Sequence, residues 1–480
     1  MTLRILDSSS KELGRFLDAL ARRRGDTGGS VDRDVVAIID AVRRRGDRAL
    51  VELTHKFDGV KISPTKLRVS AVELASAYDM MPHLDRRALE LAKLRITEFH
   101  RHTLEKSFSY RDRYGMRLGQ MVRPLDRVGI YVPGGMGAYP SSVLMNAIPA
   151  RVAGVREIVM VSPSSKDGDR PAVLAAAAIA GVDEVYRIGG AQAIAALAYG
   201  TATIRPVDKI VGPGNAWVQA AKRMVYGVTD IDKMAGPSEV LVVADDQANA
   251  DWVAADLIAQ AEHGSGDESA VLITPSRQLA IAVSAAIDRG LTDLPRADAV
   301  ATVLAKRGAA ILVKDLEEAF DLANRIAPEH LELDIVDAPN WLKLVKSAGA
   351  VFVGPMSPAP LGDYLAGPNH VLPTGGSARF ASPLGAYDFL KRTSIIEASA
   401  NALKALGPEV ARLARLEGFE GHARAMEARI PVASNGGRIV QPGASDRKNR
   451  VTKGMTARTK SNLALPKSVE KPGGRNVKTD

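Results

Sequence analysis

Apolar residues change their spacing near residue 120, and this change separates regions of different secondary structure. Before it they recur every three or four positions, as in residues 34–43 and in the long charged stretch 81–102, which predicts amphipathic helices. Beyond Pro124, short apolar runs alternate with helical segments. The runs predict buried strands at residues 157–162, 183–188, 209–211, 239–243, 270–273, 310–313 and 350–353.

An alternation of strands and helices predicts parallel sheets with right-handed crossovers, which is the doubly wound α/β fold class. The alternating stretch spans about 250 residues, so we expect two Rossmann-like parallel-sheet domains, with helical segments at both ends of the chain. The predicted regions are a mostly helical N-terminal region that packs on the core (1–120), a first Rossmann-like domain (121–237), a second Rossmann-like domain (238–380), a C-terminal helical segment (381–433) and a disordered basic tail (434–480).

The absence of cysteine narrows the possible chemistry, because it excludes disulfides, thiolate metal sites and cysteine nucleophiles. Histidine, aspartate, glutamate and glutamine remain as possible ligands. The N-terminus lacks the charged and then apolar pattern of a signal peptide, and no window has the roughly 20 uninterrupted apolar residues of a membrane span. We therefore expect a cytoplasmic protein with no membrane partner.

The net charge of +9 lies almost entirely in the last part of the chain. Residues 431–480 contain 11 Lys and Arg against 3 Asp and Glu, a charge of +8, so the preceding body is nearly neutral. This tail has no aromatic residue, which predicts a disordered, solvated extension. Contact with nucleic acid or another polyanion is the alternative, and it would be weak and salt-sensitive. Nucleic acid is not an expected partner of the folded body.

Gln260 and His263 end a predicted helix, which Gly264 suits as a left-handed C-cap. Because the two residues are three positions apart, they share one face of the helix. An amide oxygen beside a neutral imidazole offers two lone pairs to a divalent metal or a polar substrate. A helix-terminal histidine that only meets free backbone carbonyls is the simpler alternative.

Glu329 and His330 form a second reactive group, after Pro328 and before an alternating run that predicts a strand. A carboxylate beside a base whose pKa is near neutrality suits proton abstraction and water activation, whereas an exposed Glu–His pair is the alternative interpretation. In an extended run we expect the two side chains to face opposite sides.

Asp363 and two residues near the C-terminus are further candidates. Asp363 lies in a predicted loop after a strand, with His370 as another possible donor. This aspartate is either a hard oxygen ligand or an ordinary turn residue. Glu417 and His422 are five positions apart in the last helical region.

A mixed nitrogen and oxygen site would result if Gln260, His263, Asp363 and a distant histidine met. Such a site has open positions and favours zinc or a similar metal, acting as a Lewis acid or template. The spacing of these residues does not establish that they converge. The histidines of the charged N-terminal helices are expected to be exposed, namely His55, His83, His100 and His102.

Three glycine-rich loops follow predicted strands and could let the backbone approach a phosphate, at residues 131–135, 189–192 and 211–215. None completes the dinucleotide fingerprint, because Trp217 and Pro140 stand where a third glycine belongs. Tight turns are the simpler alternative. Because parallel sheets bind ligands at the carboxyl ends of their strands, we expect the site in the loops that follow the strands.

Over residues 10 to about 430 the chain closely resembles the histidinol dehydrogenase family. The resemblance rests on long, specific segments that occur together and in order: Val128-Gly-Ile-Tyr-Val-Pro-Gly-Gly135, Tyr139-Pro-Ser-Ser-Val-Leu-Met-Asn146, Val211-Gly-Pro-Gly-Asn215, Ala235-Gly-Pro-Ser-Glu239, Gln260-Ala-Glu-His263, Ala327-Pro-Glu-His330 and Gly362-Asp-Tyr364. It implies a zinc-dependent homodimer that oxidises L-histidinol through the aldehyde to L-histidine, with reduction of two NAD, in the last steps of histidine biosynthesis.

Carried onto this sequence, the resemblance implies one zinc ion per subunit and an active site shared between subunits. The implied zinc ligands are Gln260, His263, Asp363 and His422, the last supplied by the partner subunit. The implied substrate-binding residues are these same ligands together with Ser238, His330 and Glu417.

The resemblance further implies that Tyr131, Gln192 and Asn215 bind NAD, which assigns the cofactor to region 121–237. It makes Glu329 and His330 the acid/base residues, so that region 238–380 holds the metal and the catalytic groups. The C-terminal helical segment 381–433 would then serve dimerisation.

His330 is expected to accept the alcohol proton in the first oxidation, and Glu329 to activate the water that attacks the aldehyde. A thiohemiacetal route is excluded because the chain has no cysteine. Two alternatives remain. Relatives of the family oxidise other small alcohols such as sulfonated diols, against which Glu417 and His422 argue. The second alternative is a binding protein without turnover, and the intact Glu329–His330 pair argues against it.

Overall fold

The computed structural model describes residues 3–21, 29–134, 137–165, 168–234, 236–263 and 266–430. The predicted disordered tail and the predicted C-cap glycine, Gly264, lie outside the described residues. Contacts divide the chain into two compact units, Met1–Ala398 and Ser399–Asp480, which are described separately.

The strands and helices are numbered in chain order. The strands are β1 (Ile5–Asp7), β2 (Phe108–Arg111), β3 (Arg117–Pro124), β4 (Arg127–Tyr131), β5 (Glu157–Val161), β6 (Glu184–Tyr186), β7 (Lys209–Val211), β8 (Asp230–Ile231), β9 (Glu239–Ala244), β10 (Ser269–Thr274), β11 (Gly308–Leu312), β12 (His330–Asp334), β13 (Ala350–Val353) and β14 (Leu390–Glu397). The helices are α1 (Lys11–Ala21), α2 (Gly29–Arg45), α3 (Asp47–Asp58), α4 (Ala71–Asp79), α5 (His83–His102), α6 (Pro140–Ala153), α7 (Pro171–Ala180), α8 (Gly190–Tyr199), α9 (Ala216–Val225), α10 (Ala250–Ala261), α11 (Arg277–Gly290), α12 (Ala297–Arg307), α13 (Leu316–Ile326), α14 (Ala338–Trp341), α15 (Ala359–Tyr364), α16 (Ala400–Leu416) and α17 (Glu420–Glu427).

Two parallel sheets form the body of the first unit, which confirms the predicted α/β fold class. The first sheet has the order β6-β5-β4-β7-β8 and the second has the order β1-β11-β10-β9-β12-β13. All seven apolar runs that predicted buried strands belong to these two sheets.

Helices cover both faces of each parallel sheet, so the strands are buried on both sides. On the first sheet, α5, α6 and α7 pack one apolar cluster and α2, α3, α8 and α9 pack the other. On the second sheet, α10, α11 and α12 pack one face, while α1 and α13 pack the opposite face. Each fully buried Leu, Ile or Phe contributes about 1.5–3 kcal/mol, so these four clusters dominate the stability of the unit.

The N-terminal region is less uniform than its helical pattern predicts. Strand β1 forms the edge of the second sheet, where Ile5 pairs in parallel with Ala310. Helix α1 packs on the same sheet through Phe16, whereas α2 and α3 pack on the first sheet. The beginning of the chain therefore contributes to both sheets.

A third sheet was not predicted from the sequence. It is antiparallel, with the order β14-β3-β2, and β14 lies inside segment 381–433, which was predicted to be helical. That prediction is wrong for residues 390–397, because β-branched Thr393, Ile395 and Ile396 favour the extended conformation and β3 is available as a partner.

The second unit contains α16 and α17, which pack against each other. A side chain at Gly407 would lie 2.7 Å from Ile430, so the glycine permits this close approach. Arg415 forms ion pairs with Glu420 and Glu427 across the two helices. Among the residues that the structure describes, every helix is too short or too polar to cross a membrane.

His100 contradicts the expectation that the N-terminal histidines are exposed. Its residue surface is only 1 % exposed, on the side of α5 that faces the first sheet. Neither ring nitrogen has a hydrogen-bond partner among the described residues, and burial lowers the pKa of His100 to about 4. The imidazole of His100 is therefore neutral in the folded protein near pH 7.

Replacing His100 with Leu is expected to reduce the loss of stability in acid. The imidazole of His100 binds a proton near pH 6.5 in the unfolded chain but only near pH 4 in the folded chain. The free energy of unfolding therefore falls as the pH drops through this window, by about 3 kcal/mol at pH 4. Urea unfolding of both proteins between pH 7 and pH 4 measures the difference. An unchanged pH dependence in the variant would show that His100 is not the responsible group.

Candidate active site

A cleft of about 800 Å³ lies where the strands of the first sheet end. The loops that follow β4, β5, β6 and β7 contribute to its wall, together with α2 and α3. Tyr131, Gln192 and Asn215 all line it. The structure thus brings together the three residues predicted to bind NAD, in a cleft whose volume lies in the range of cofactor sites.

Tyr131 ends β4 and is 4 % exposed. Its hydroxyl oxygen accepts a hydrogen bond of 3.0 Å from the backbone N–H of Gly190, at the start of α8. Burial raises the pKa of Tyr131 to about 12, so the phenol keeps its proton and remains a possible donor to a ligand. Gln192, one turn into α8, is 1 % exposed.

Several lining residues were not selected from the sequence. Asp58, Arg170 and Trp217 also line the cleft, and burial raises the pKa of Asp58 to about 6. Asp58 comes from the C-terminal end of α3, far from the glycine-rich loops in sequence. No local motif marks it, so only the fold could identify it.

The loop that carries Asn215 is held by a buried ion pair. Gly212 has φ +111°, and a side chain there would overlap the carbonyl oxygen of Tyr131. Lys222 is fully buried, donates to the carbonyl of Gly212 over 2.9 Å and pairs with Asp232, which also accepts the N–H of Gly212. Gly212 is therefore a tight-turn glycine, and the buried ion pair of Lys222 and Asp232 holds its loop in place.

Glu329 and His330 lie at the beginning of β12, beside the beginning of β9. One carboxylate oxygen of Glu329 accepts the hydroxyl of Ser238 over 2.5 Å and the N–H of Glu239 over 2.9 Å. The Nδ1 atom of His330 lies 2.9 Å from the carbonyl oxygen of Glu239 and 3.6 Å from Glu329. Because Nδ1 lies against that carbonyl as a donor, Nε2 is the ring nitrogen that remains for other partners.

The prediction that Glu329 and His330 face opposite sides is wrong. The chain bends at Glu329, and the strand begins only at His330, so the alternation of a regular strand does not apply to this pair. Both side chains reach the same partner segment, residues 238–239.

The electrostatics of the pair are those of two buried, interacting groups. Burial raises the pKa of Glu329. Burial alone would disfavour the charged imidazole, but the carboxylates of Glu329 and Asp363 outweigh it and raise the pKa of His330 to about 9. A buried pair whose pKa values are perturbed by a specific charge partner is typical of acid/base sites.

Gln260 and His263 lie at the C-terminal end of α10, as predicted. His263 follows the helix in a turn, and its Nδ1 lies 3.1 Å from the backbone carbonyl of Gln260, which leaves Nε2 for a ligand. Gln260 is 4 % exposed, and its side-chain nitrogen finds no hydrogen-bond partner in the described part of the chain.

Asp363 lies in α15 rather than in the predicted loop. Its Oδ1 lies 3.6 Å from Nε2 of His330, and its backbone carbonyl accepts from Nδ1 of His370 over 2.8 Å. Burial would raise the pKa of Asp363, but His330, His370 and His263 outweigh it and lower the pKa. Asp363 is therefore a carboxylate in the electrostatic field of three histidines.

These groups gather at the amino edge of the second sheet, not at the carboxyl ends that were expected. Glu239 and His330 are the first residues of β9 and β12. A crossover helix runs back along its sheet, so the C-terminal end of α10 also returns to the amino edge. The three residues predicted to bind NAD therefore lie at the carboxyl ends of the first sheet, as expected, whereas Glu329 and His330 lie at the amino ends of the strands of the second sheet.

Glu417 and His422 belong to the second unit. Glu417 caps α16, and His422 lies in α17, where its ring contacts Phe419 at 5.2 Å between centroids. Both are exposed. The first unit by itself does not supply these two predicted site residues.

The donor set suits a zinc ion without forming a complete site. Within the described ranges, no group of three or more His, Asp or Glu side chains is arranged to hold a metal. Gln260, with its unpaired buried amide, together with His263 and Asp363, nevertheless offers the nitrogen and oxygen atoms that zinc accepts. An amide can turn its oxygen to the position of its nitrogen, so the set fits a metal that takes a further ligand from elsewhere.

A cleft of about 800 Å³ on one parallel sheet and a buried carboxylate–imidazole pair on another are typical features of an α/β enzyme. The model of the family described as histidinol dehydrogenase matches residues 21–430, most of the chain. The chain belongs to the histidinol dehydrogenase family. The match ends before the basic tail.

Relatives and a solved structure agree with this membership. The chain is 50 % identical to the histidinol dehydrogenase of Nitrosomonas europaea over 432 residues, which cover 89 % of this chain and 99 % of that one. It is 52 % identical to that of Aromatoleum aromaticum, covering 89 % and 98 %. The crystal structure of histidinol dehydrogenase from Elizabethkingia anophelis superposes with a TM-score of 0.84 at 33 % identity, covering 89 % and 98 %.

Replacing Lys222 with Met is expected to destabilise the protein by about 3–5 kcal/mol, because Asp232 would remain as an uncompensated buried charge. Urea unfolding at pH 7 measures the change. Arg289→Met is the matched control, since it removes an exposed ion pair with Asp251 and should cost about 1 kcal/mol or less. Equal effects of the two substitutions would contradict the anchoring role of Lys222.

Proposed function

We propose that this protein oxidises L-histidinol through L-histidinaldehyde to L-histidine, with reduction of two NAD, in the last steps of histidine biosynthesis. Membership of the family and the buried Glu329–His330 pair beside Asp363 support the proposal. We also propose that the protein is located in the cytoplasm.

Zinc is proposed as the resident metal, one ion per subunit. Gln260, His263 and Asp363 would hold it, together with the partner subunit's His422. When bound, zinc supplies a Lewis acid that orients the imidazole and amine of the substrate. Ser238 and the partner subunit's Glu417 would complete the substrate contacts, along with His330 and the zinc ligands.

NAD is proposed to occupy the cleft of the first sheet, where Tyr131, Gln192 and Asn215 lie. The cofactor supplies the acceptor for the hydride in each oxidation. The buried phenol of Tyr131 and the amide of Gln192 offer fixed hydrogen-bonding groups, and the anchored loop of Gly212 sets the position of Asn215.

The residues of this chain move the protons. In its neutral form His330 keeps Nδ1–H bonded to the carbonyl of Glu239, presents Nε2 to the site and accepts the proton of the alcohol. Glu329 then accepts a proton from the water that adds to the aldehyde, while His330 returns its proton to the carbonyl oxygen. The resulting hydrate loses the second hydride to NAD and a proton to His330. The hydrogen bonds from Ser238 and Glu239 hold the carboxylate in place during both steps.

The first test is the number of NADH molecules formed per molecule of limiting L-histidinol. We expect two NADH molecules per molecule of histidinol. NADH formation should cease after the metal is removed with a chelator and should recover when zinc is restored. Purified full-length protein and absorbance at 340 nm, the usual NADH band, suffice. No NADH from histidinol in zinc-loaded protein would overturn the proposal and direct attention to other small alcohols.

The matched variant in this test is Glu329→Gln. It keeps an acceptor for Ser238 and Glu239 but has no basic carboxylate, so turnover should fall by about 10²–10⁴-fold while the fold persists. Turnover equal to that of the unsubstituted protein would remove Glu329 from the acid/base role.

A homodimer is proposed, and the antiparallel sheet supports it. Tyr110, Leu118 and Ile396 are neighbours across its three strands, and Phe108 lies on the same face. Phe108, Tyr110 and Ile396 are 56 %, 55 % and 72 % exposed, which makes an apolar face of the kind that protein interfaces use. We propose a second copy of this chain as its occupant, because a shared site also needs His422 from another subunit.

Phe108→Asp combined with Ile396→Asp is expected to convert the dimer to a monomer, since charges would be buried at the interface. Sedimentation equilibrium measures the mass. Val72→Asp is the control, an equally exposed apolar residue on α4 outside this sheet. A dimer that survives the double substitution would show that the subunits meet elsewhere, and a monomeric unsubstituted protein would refute the dimer itself.

A further inference from the structure

Strand β12, in the interior of a parallel sheet, carries polar residues on one face, of which two are buried and the third is half-buried. His330, Glu332 and Asp334 occupy alternate positions, whereas Leu331 and Leu333 pack into the apolar core on the opposite face. β9 and β13 flank the strand on its two sides. A strand in this position is normally apolar on both faces, so Glu332, which is only 5 % exposed, calls for a reason.

Glu332 contacts α15 through a direct hydrogen bond. Its Oε1 accepts the backbone N–H of Ala359 over 2.7 Å, and Ala359 is the first residue of the helix. That N–H has no partner within its own helix, because the first amides of a helix are unpaired. Asp363, the proposed metal ligand, lies one turn further along α15.

Glu332 also contacts α10 through Asp256. The two carboxyl groups are hydrogen-bonded to each other, which requires a shared proton. Burial and the charge of Asp256 raise the pKa of Glu332 to about 8, whereas burial and the charge of Asp334 raise the pKa of Asp256 to about 6. Asp256 is one turn before Gln260, so both lie on the same face of α10. The bond therefore fixes the helix turn that presents Gln260.

Three elements that carry three site groups thus meet at one side chain. β12 presents His330, α15 presents Asp363 and α10 presents Gln260. We propose that Glu332 is the positioning residue of the metal centre, joining α10 and α15 to β12 so that Gln260, Asp363 and His330 converge. The inference rests on the proposed zinc-dependent function.

The chemistry of substitution separates positioning from other roles. Glutamine keeps an oxygen acceptor for Ala359 and offers N–H donors to Asp256, so it preserves both links without a titratable proton. Leucine has a similar size but leaves the amide of Ala359 and the carboxyl of Asp256 unpaired. Positioning therefore predicts rescue by glutamine and failure of leucine.

The experiment compares Glu332→Leu and Glu332→Gln with the unsubstituted protein and with Asp334→Asn. The last is a matched control, because Asp334 lies on the same face of β12, two residues further on. For each protein we would measure zinc affinity by competition with a chromophoric chelator, kcat and KM for histidinol and for NAD, and the thermal unfolding midpoint.

Glu332→Leu is expected to weaken zinc binding by about 10–100-fold and to lower kcat, as loss of residues that orient metal ligands does elsewhere. Its KM for NAD should be unchanged, because the cofactor cleft belongs to the other sheet. Glu332→Gln and Asp334→Asn should stay within about threefold of the unsubstituted protein in zinc affinity, a margin well below that loss.

Two results would overturn the inference. One is zinc affinity of Glu332→Leu equal to that of the unsubstituted protein. The other is a loss in Glu332→Gln as large as in Glu332→Leu, which would assign the role to the proton instead. If Glu332→Leu does not fold, Asp256→Ala breaks the same link from α10 and should weaken zinc binding, and unchanged affinity there would refute the proposal. Failure of the unsubstituted protein to bind zinc or oxidise histidinol would instead refute the proposed function.

Discussion

The parallel pairing of β9 with β12 is the interaction on which the candidate active site depends. It places His330 beside Val240 and so brings together groups that are 91 residues apart in sequence, such as the imidazole of His330 and the carbonyl of Glu239. Because side chains alternate along a strand, a slip of one residue would turn His330 and Glu332 into the apolar core. The apolar residues on the other face of β12 therefore fix the register, and the register fixes the site.

Most of the fold followed from the sequence, because the strands of a covered parallel sheet are apolar on both faces and stand out as short runs. The runs at 209–211 and 350–353 coincide with β7 and β13. The antiparallel sheet did not stand out, since β2 and β14 are mostly exposed on both faces, β3 is mostly half-buried on both faces, and none of the three gives a regular alternation. Strand β1 is only three residues long, and its partner β11 lies far away in sequence, so no local pattern could reveal it.

The candidate site was predictable as a set of residues and less so as an arrangement. The chemistry of Gln260, His263, Glu329 and His330 drew attention to each of them, and the family resemblance supplied roles that the geometry accommodates. The sequence did not reveal that the candidate site groups of the second sheet lie at the amino ends of its strands, because this depends on where a crossover helix ends. Glu332 had a readable signal, the alternation of polar residues in a strand that its neighbours bury on both sides.

The edge strand β1 has a consequence for the order in which the chain folds during synthesis. The side chain of Arg4 bonds the carbonyl of Gly308, 304 residues later, so β1 leaves the ribosome long before β11 exists. The strands of the first sheet lie between β1 and β11 in sequence, so this sheet can form while β1 is still unpaired. A nascent chain thus carries an unpaired strand through most of its translation, and a fusion that sequesters these first residues would leave β11 as an open edge for other chains.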